Sequence, residues 1–153
     1  MDTHISSAEI VHDLLHIHND RIKSYTRVLQ SGKEMELDIR SIFERMIEES
    51  IKYRQQLNGK IRDEVNDDAR PDDRVGRGKI YKAWADVKTE QTFTNSNKKT
   101  ILEACMNDQL ALLNAYSMAL SFAPGKDVKE LLLDQQEGLQ QLHAHIRQYH
   151  DAQ

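Results

Sequence analysis

The chain has 153 residues, a length typical of a single domain, with 39% hydrophobic and 30% charged residues. This composition is typical of a folded globular protein and argues against a chain that is disordered as a whole. A formal net charge of −4 argues against a nucleic-acid binder, and a single cysteine excludes an internal disulfide framework. We therefore expect one domain over residues 1–153, with no nucleic acid as a partner.

The sequence carries no pattern of a targeting signal or a membrane span. The first ten residues lack a basic region followed by an apolar run. The most apolar stretch, Leu110 to Ala123, is too short to span a bilayer and contains Asn114 and two serines. We therefore expect a cytoplasmic protein with no membrane partner.

The first predicted helix runs from about Ser7 to Gln30. Ser6 and Glu9 have the spacing of a capping box, and Ser31-Gly32 is a stop signal. Residues at alternating gaps of four and three place one stripe on a single face of this helix. The stripe consists of Val11, Leu15, His18, Ile22, Tyr25 and Leu29.

The second predicted helix runs from about Glu34 to beyond Ile61 and is followed by a charged loop over 66–78. Its stripe has the same spacing and consists of Ile39, Phe43, Met46, Ser50, Tyr53 and Leu57. A shorter helix is predicted from Lys79 to Gln91, where Trp84 is expected to anchor it to the rest of the protein.

The third long helix is predicted from about Asn97 to Phe122, with Thr100 and Glu103 as a possible capping box. Its stripe consists of Ile101, Cys105, Asp108, Leu112, Ala115, Ala119 and Phe122. We expect Cys105 to be a small buried hydrophobic residue. The fourth helix is predicted from Asp127 to about His150, with the stripe Leu132, Gln135, Leu139, Leu142, Ile146 and Tyr149.

Four long helices that each carry one apolar stripe are expected to bury those stripes against one another in an all-α bundle. Short turns join the first two helices and the last two, so each pair is expected to be antiparallel. The connection over about 67–96 is long enough to travel the length of the bundle, and it contains the short helix. It therefore allows the second and third long helices to run parallel, as in ferritin-like folds, although a long loop on a simple up-down bundle also fits.

Several short segments resemble a small bacterial ferritin-like four-helix-bundle family that has no established activity. The resemblance covers about residues 8–150. It rests on Asn19-Asp20 with Tyr25, Phe43 followed by Glu48-Glu49, Trp84-Ala85-Asp86-Val87-Lys88, Leu102-Glu103-Ala104-Cys105, Asn114-Ala115-Tyr116, and Leu142-His143. It implies a ferritin-like fold with a long crossover and a short extra helix, and it implies no activity.

Ferritin-like di-iron proteins take a carboxylate from each of two helices and a Glu-x-x-His motif from each of the other two. In this chain His18 stands where the first helix would supply glutamate, and Lys52 follows Glu49 where histidine is required. Gln140 stands three residues before His143, so the second motif lacks its carboxylate. The sequence therefore predicts a degenerate metal site.

Two interpretations of the remaining candidate ligands stay open. His18, Glu49, Asp108 and His143 would suit zinc or a single iron if their helices face one another. Alternatively, His18 and Asp108 are buried polar residues, hydrogen-bonded to each other or to Ser50 and Tyr53, that set the helix register. A separate pair, His12 and His16, has chelating spacing, and we expect it to lie on the surface and bind nickel or zinc adventitiously.

Two functions from different classes follow. The first is a non-enzymatic structural or interaction protein that keeps a ferritin-like shape without a cofactor. The alternative is a protein that binds iron, manganese or zinc and acts as an oxidase or a store. In either case a homodimer is expected, because ferritin-like bundles often pair and symmetric dimers are the commonest oligomers.

Overall fold

The computed structural model describes residues 5–31, 34–65, 78–87 and 97–153, with the side chains of 62–65 left out. These residues form five helices: α1 (Ser7–Gln30), α2 (Leu37–Val65), α3 (Lys79–Val87), α4 (Lys98–Ser121) and α5 (Lys126–Asp151). Within those ranges no strand is present, so the predicted all-helical class is confirmed. Residues 66–77 of the loop predicted over 66–78, and the predicted end of the short helix at 88–91, lie outside the described residues.

Local side chains explain most of the helix ends. The hydroxyl of Ser6 accepts a hydrogen bond from the backbone N–H of Glu9 at 3.2 Å, so α1 begins where the sequence predicted. The predicted capping box of α4 is wrong, because the side chain of Asn97 accepts from the N–H of Thr100 at 2.8 Å. Asn97 precedes the helix and is therefore the cap, while Thr100 already lies in the first turn.

Contacts between α1 and α2 show that these helices are antiparallel. The guanidinium of Arg54 donates to Asn19 at 2.8 Å, and the rings of Tyr25 and Phe43 lie 5.3 Å apart. Residue numbers therefore rise along α1 as they fall along α2. A short turn between the two helices requires this arrangement.

Helices α1 and α4 are also antiparallel to each other. His18 hydrogen-bonds to Tyr116 at 2.8 Å, and seven residues later Tyr25 donates to Asp108 at 2.6 Å. Because α1 runs opposite to both α2 and α4, those two helices run parallel to each other. This is the parallel course that the length of the predicted connection over 67–96 allowed.

The last two long helices are antiparallel to each other. Tyr116 donates to Gln135 at 2.6 Å, and near the other end His150 contacts Glu103 at 3.0 Å. The α1–α2 pair thus packs against the α4–α5 pair, with α1 and α5 running in one direction and α2 and α4 in the other. Burial of the apolar stripes between these pairs is the main force that holds the helices together.

The buried apolar residues form two clusters, one toward each end of the helices. Along α1 the first cluster ends at Ile17 and the second contains Tyr25, and along α4 the second ends at Cys105 and the first resumes at Ala111. Polar side chains occupy the level between the clusters. This buried polar layer is the most unusual feature of the core, because polar groups are costly to bury unless they are hydrogen-bonded.

The short helix α3 docks onto α1 through a carboxylate. Asp13 is buried on α1 and accepts hydrogen bonds from the backbone N–H groups of Gly78, Ile80 and Tyr81 at 2.8–3.2 Å. A side chain at position 78 would meet this carboxylate at 2.8 Å, which explains why glycine stands there. Trp84 is buried in the first apolar cluster, as its predicted anchoring role requires.

Two predictions of burial are wrong: Tyr149 was expected in the buried stripe of α5, and His16 was expected on the surface. Tyr149 is 36% exposed and does not extend the buried stripe, because that stripe ends at Ile146. His16 is buried with 4% exposure because α3 covers this side of α1, and its ring contacts Tyr81 edge to face. In the described parts of the chain, no helix has the length and apolar character that crossing a membrane would require.

Candidate functional site

The buried polar layer takes side chains from all four long helices. Its members are His18, Arg21 and Tyr25 from α1, Glu49, Ser50 and Tyr53 from α2, Asp108, Gln109 and Tyr116 from α4, and Gln135 from α5. Glu49 is the member that solvent partly reaches, and the others are buried. A layer of this kind fixes which helix levels can face one another.

Arg21 is the central residue of the layer. Its side chain is 1% exposed, and its Nε donates to Asp108 at 3.3 Å. Its two terminal nitrogens donate to Ser50 at 3.0 Å and to Gln109 at 2.8 Å. The fork of the guanidinium therefore joins α1 to both α2 and α4, and a buried positive charge is tolerated because a carboxylate pairs with it.

Asp108 balances the charge of Arg21 and is held by a second donor. The hydroxyl of Tyr25 donates to the same carboxylate oxygen, Oδ2, at 2.6 Å. Burial raises the pKa of Tyr25 well above its usual value, and the negative charge of Asp108 adds to this shift. The phenol thus stays protonated and acts as a permanent donor to the carboxylate.

The orientation of Gln135 sets the direction of a chain of hydrogen bonds. Its amide nitrogen lies 3.3 Å from the backbone carbonyl of Tyr53 and 3.0 Å from the side-chain oxygen of Gln56. A carbonyl can only accept, so the amide nitrogen of Gln135 must face it, and Oε1 must face Tyr116. Oε1 then accepts from the hydroxyl of Tyr116 at 2.6 Å.

The same logic assigns the tautomer of His18. Because the hydroxyl hydrogen of Tyr116 is directed at Gln135, its oxygen accepts a hydrogen bond from Nε2–H of His18 at 2.8 Å. Nδ1 of His18 carries no proton and accepts from the hydroxyl of Ser50 at 3.0 Å, while the Ser50 oxygen accepts from Arg21. Burial, with Arg21 and Arg54 nearby, holds the pKa of His18 well below its usual 6.5, in agreement with a neutral ring.

Glu49 lies at the edge of the layer, between α2 and α5. Its Oε1 accepts from the amide nitrogen of Gln109 at 3.3 Å, and it also hydrogen-bonds to the hydroxyl of Tyr53. Burial raises the pKa of Glu49, although Arg21 and Gln109 oppose this shift. An added Cβ at Gly138 would overlap the Tyr53 hydroxyl, so this glycine on α5 makes room for the pair.

The structure brings three of the four predicted site residues into the layer. His18, Glu49 and Asp108 are all members, but they are joined through Arg21, Ser50 and Gln109 rather than directly. His143 has no hydrogen bond to the layer, and its Nδ1 is buried without a partner. Burial lowers the pKa of His143, and the positive charge of Arg147 adds to this shift. Of the three partners proposed for His18, Ser50 is bonded to it and Tyr53 packs edge to face against it. Asp108 is linked to it only through Arg21 and Ser50.

The donor set does not fit the carboxylate-bridged metal pair that a ferritin-like fold implies. A metal needs several lone-pair atoms directed at one point within about 2.0–2.3 Å. Both nitrogens of His18 are already hydrogen-bonded, Oδ2 of Asp108 accepts from two donors, and a guanidinium lies among them. In the residues that the structure describes, no three His, Cys, Asp or Glu side chains are grouped to hold a metal ion.

Sequence analysis missed Arg21 and Gln109, although a signal for Arg21 exists. Arg21 lies three residues after His18 and four before Tyr25, so it has the spacing of the core stripe. A charged residue in such a position is normally assigned to the helix surface. Gln109 directly follows Asp108 and gives no periodic signal, because its role depends on the approach of Leu139 in α5, whose carbonyl it bonds at 2.9 Å.

Other candidate groups do not extend the site. Cys105 is buried in the second apolar cluster, and burial raises the pKa of its thiol, so it is the unreactive hydrophobic residue that the sequence predicted. His12 is partly buried on the α3 side of α1, beside His16. Comparison of the chain with protein-family models, with curated proteins and with solved structures finds no match.

Proposed function

We propose that this chain is a ferritin-like four-helix bundle that works as a non-enzymatic structural or interaction protein. The parallel course of α2 and α4, with a long connection that carries α3, supports the ferritin-like topology. In this proposal the protein is bacterial and cytoplasmic, as the sequence predicted.

One observation carries the proposal. At the level where four helices bring their polar side chains together, the space is filled by the guanidinium of Arg21 and its hydrogen bonds. Catalytic sites need groups that can reach a substrate, but these side chains are buried and bonded to one another. The arrangement therefore favours a role in holding the helices together.

Elemental analysis tests the proposal. Untagged protein is purified without a nickel column from cells supplemented with iron and manganese. We expect iron, manganese and zinc each to be well below one equivalent, with an intact helical circular dichroism spectrum. A near-stoichiometric metal that disappears in His18→Ala and Asp108→Ala, but persists in a His12→Ala/His16→Ala variant, would overturn the proposal.

The second candidate function is a metal-binding oxidase or store. The observation in its favour is that His18, Glu49 and Asp108 belong to one layer, although Arg21 separates them. This function requires a near-stoichiometric metal in the elemental analysis. Oxygen consumption on addition of ferrous iron would then be the next measurement.

We also propose that the protein forms a homodimer through the outer face of α4. Between Glu103 and Lys126 the sequence contains one charged residue, Asp108, which is buried. The exposed residues of this face lie at gaps of three and four and are Asn107, Leu110, Asn114, Ser117 and Ser121. A two-fold axis places a face against its own copy, so an uncharged face avoids the repulsion between like charges that the rest of the surface would suffer.

A further inference from the structure

The polar layer contains more negative than positive formal charge. Arg21 contributes one positive charge, while Asp108 accepts its Nε–H directly and Glu49 is linked to it through the amide of Gln109. The acceptors that surround the guanidinium are Oδ2 of Asp108, Oγ of Ser50 and Oε1 of Gln109. Three oxygens from two helices thus converge on one cation.

We infer that this layer is an internal cation site whose cation the chain supplies itself, in the form of the Arg21 guanidinium. The inference deepens the proposed function and rests on it, because it states what stands at the centre of the bundle in place of an external cofactor. The site requires a cation because an unpaired carboxylate in a buried place is strongly destabilising.

The geometry around Arg21 suits a guanidinium better than a compact ion. Its three nitrogens each donate to a different oxygen, and the ring of Tyr25 lies 6.0 Å from the guanidinium carbon. A planar cation with several N–H groups can satisfy all of these oxygens in one plane, whereas an ammonium cannot. Removal of the side chain would leave a vacancy bordered by oxygens and one negative charge.

Chemical rescue tests the inference. In Arg21→Ala, the carboxylate of Asp108 loses its cation, and millimolar guanidinium chloride should restore part of the stability by entering the vacancy. We expect a saturable rise in the midpoint of thermal unfolding of this variant, and no rise for the unsubstituted protein at the same concentrations. Sodium chloride at equal ionic strength controls for screening.

Two control variants identify the cause of any rescue. Met46→Ala opens an apolar cavity in the second cluster and should not respond to guanidinium. Arg21→Ala/Asp108→Asn removes the charge that requires a cation, so its response should also vanish. Equal responses in Arg21→Ala and in either control would overturn the inference.

A second experiment applies if Arg21→Ala does not fold. Arg21→Met keeps much of the side-chain volume and leaves Asp108 unpaired, while Arg21→Met/Asp108→Leu removes both charges. We expect the double variant to unfold at a higher urea concentration than Arg21→Met alone, because it no longer buries the Asp108 carboxylate without its cation. The inference fails if the double variant is the less stable of the two.

Different results would contradict the proposed function and the inference about Arg21. Stoichiometric metal in the unsubstituted protein contradicts the proposed function. A metal-free unsubstituted protein together with an Arg21→Ala variant that ignores guanidinium contradicts the inference alone.

Discussion

At the scale of single residues, the direction of each hydrogen bond in the layer is determined by its neighbours. The backbone carbonyl of Tyr53 orients Gln135, Gln135 orients the hydroxyl of Tyr116, and Tyr116 determines which nitrogen of His18 is protonated. A proton added to Nδ1 of His18 would face the hydroxyl of Ser50 and the positive charge of Arg21. The layer therefore resists protonation.

This resistance predicts that stability falls in mild acid. The pKa of His18 lies well below 6.5 in the folded protein, so below pH 6.5 the unfolded state binds a proton that the folded state does not. The contribution of His18 is thus fully present above pH 6.5 and is lost at up to about 1.4 kcal/mol per pH unit as the pH falls toward the folded pKa. Urea unfolding from about pH 7.5 to about pH 5, the range in which histidine titrates, measures this loss of stability.

His18→Gln isolates this contribution, because glutamine can hydrogen-bond and does not titrate. We expect this variant to be less stable at pH 7.5 and to show a smaller loss of stability in acid, over about the range in which histidine titrates. His145→Gln, at a partly exposed position of α5 outside the polar layer, is the matched control and should retain the loss of stability in acid that His18 causes. An unchanged acid dependence in His18→Gln would contradict the assignment.

Substitution of two helical glycines by alanine is predicted to change the free energy of unfolding in opposite directions. A Cβ at Gly138 would overlap the hydroxyl of Tyr53, so Gly138→Ala must displace the Tyr53–Glu49 pair. We expect a loss of about 1–3 kcal/mol in the free energy of unfolding. Gly59 on α2 has no atom within 4 Å of the added Cβ, so Gly59→Ala should gain roughly 0.5–1 kcal/mol.

Urea unfolding of both variants checks this pair of predictions. Equal effects at the two positions would show that α5 can move away from Tyr53 without cost.

At the scale of elements, the helix bounds were predictable because they depend on short-range signals. The core stripes of α1 and α4 and the cap at Ser6 depend on residues at most four apart, so the sequence alone indicates them. The start of α2 was placed three residues early, at Glu34 instead of Leu37, because no strong cap marks it. The anchoring of α3 by Trp84 was predictable, but its carboxylate cap was not, because Asp13 comes from another helix.

The cap on α3 predicts a local effect of one substitution. Asp13→Ala removes the acceptor for three backbone N–H groups at the start of α3, and we expect a cost of about 1–2 kcal/mol. The chain has one tryptophan, Trp84, which is buried on α3. Loosening of α3 should therefore shift the fluorescence emission of the protein to longer wavelength at denaturant concentrations that leave the far-ultraviolet circular dichroism unchanged.

Asp86→Ala is the control for this experiment, because Asp86 lies on α3 and is exposed. It should leave the emission spectrum as it is. If Asp13→Ala also leaves it unchanged, burial of Ile80 and Trp84 alone is enough to hold α3 in place.

At the scale of the whole molecule, the helix directions and part of the layer could be anticipated. The long connection allowed α2 and α4 to run parallel, and the polar residues His18 and Asp108 within apolar stripes marked the level of the layer. Their partners could not be assigned, because Arg21 bonds to Asp108 and Gln109 across 87 and 88 residues of sequence. Periodicity shows which residues face inward and contains no information on which of them meet.

The proposed dimer predicts a change in mass for one surface substitution. Leu110 is 44% exposed and belongs to the uncharged face of α4. Leu110→Lys places a positive charge from each copy in the proposed interface, so we expect a monomer by size-exclusion chromatography with light scattering, where the unsubstituted protein is a dimer. Leu37→Lys, at an exposed site at the start of α2, should remain a dimer. An unsubstituted protein that is monomeric at all accessible concentrations would contradict the prediction.

The central position of Arg21 also has a consequence for how the chain folds. When only the α1–α2 hairpin has formed, Arg21 can bond to Ser50, but Asp108 and Gln109 arrive only when the α4–α5 hairpin docks. Docking displaced by one helical turn, about 5.4 Å, would bury the guanidinium without its carboxylate and cost several kcal/mol. The shifted register is therefore much less stable than the native one, and the polar layer specifies how the two halves of the chain align.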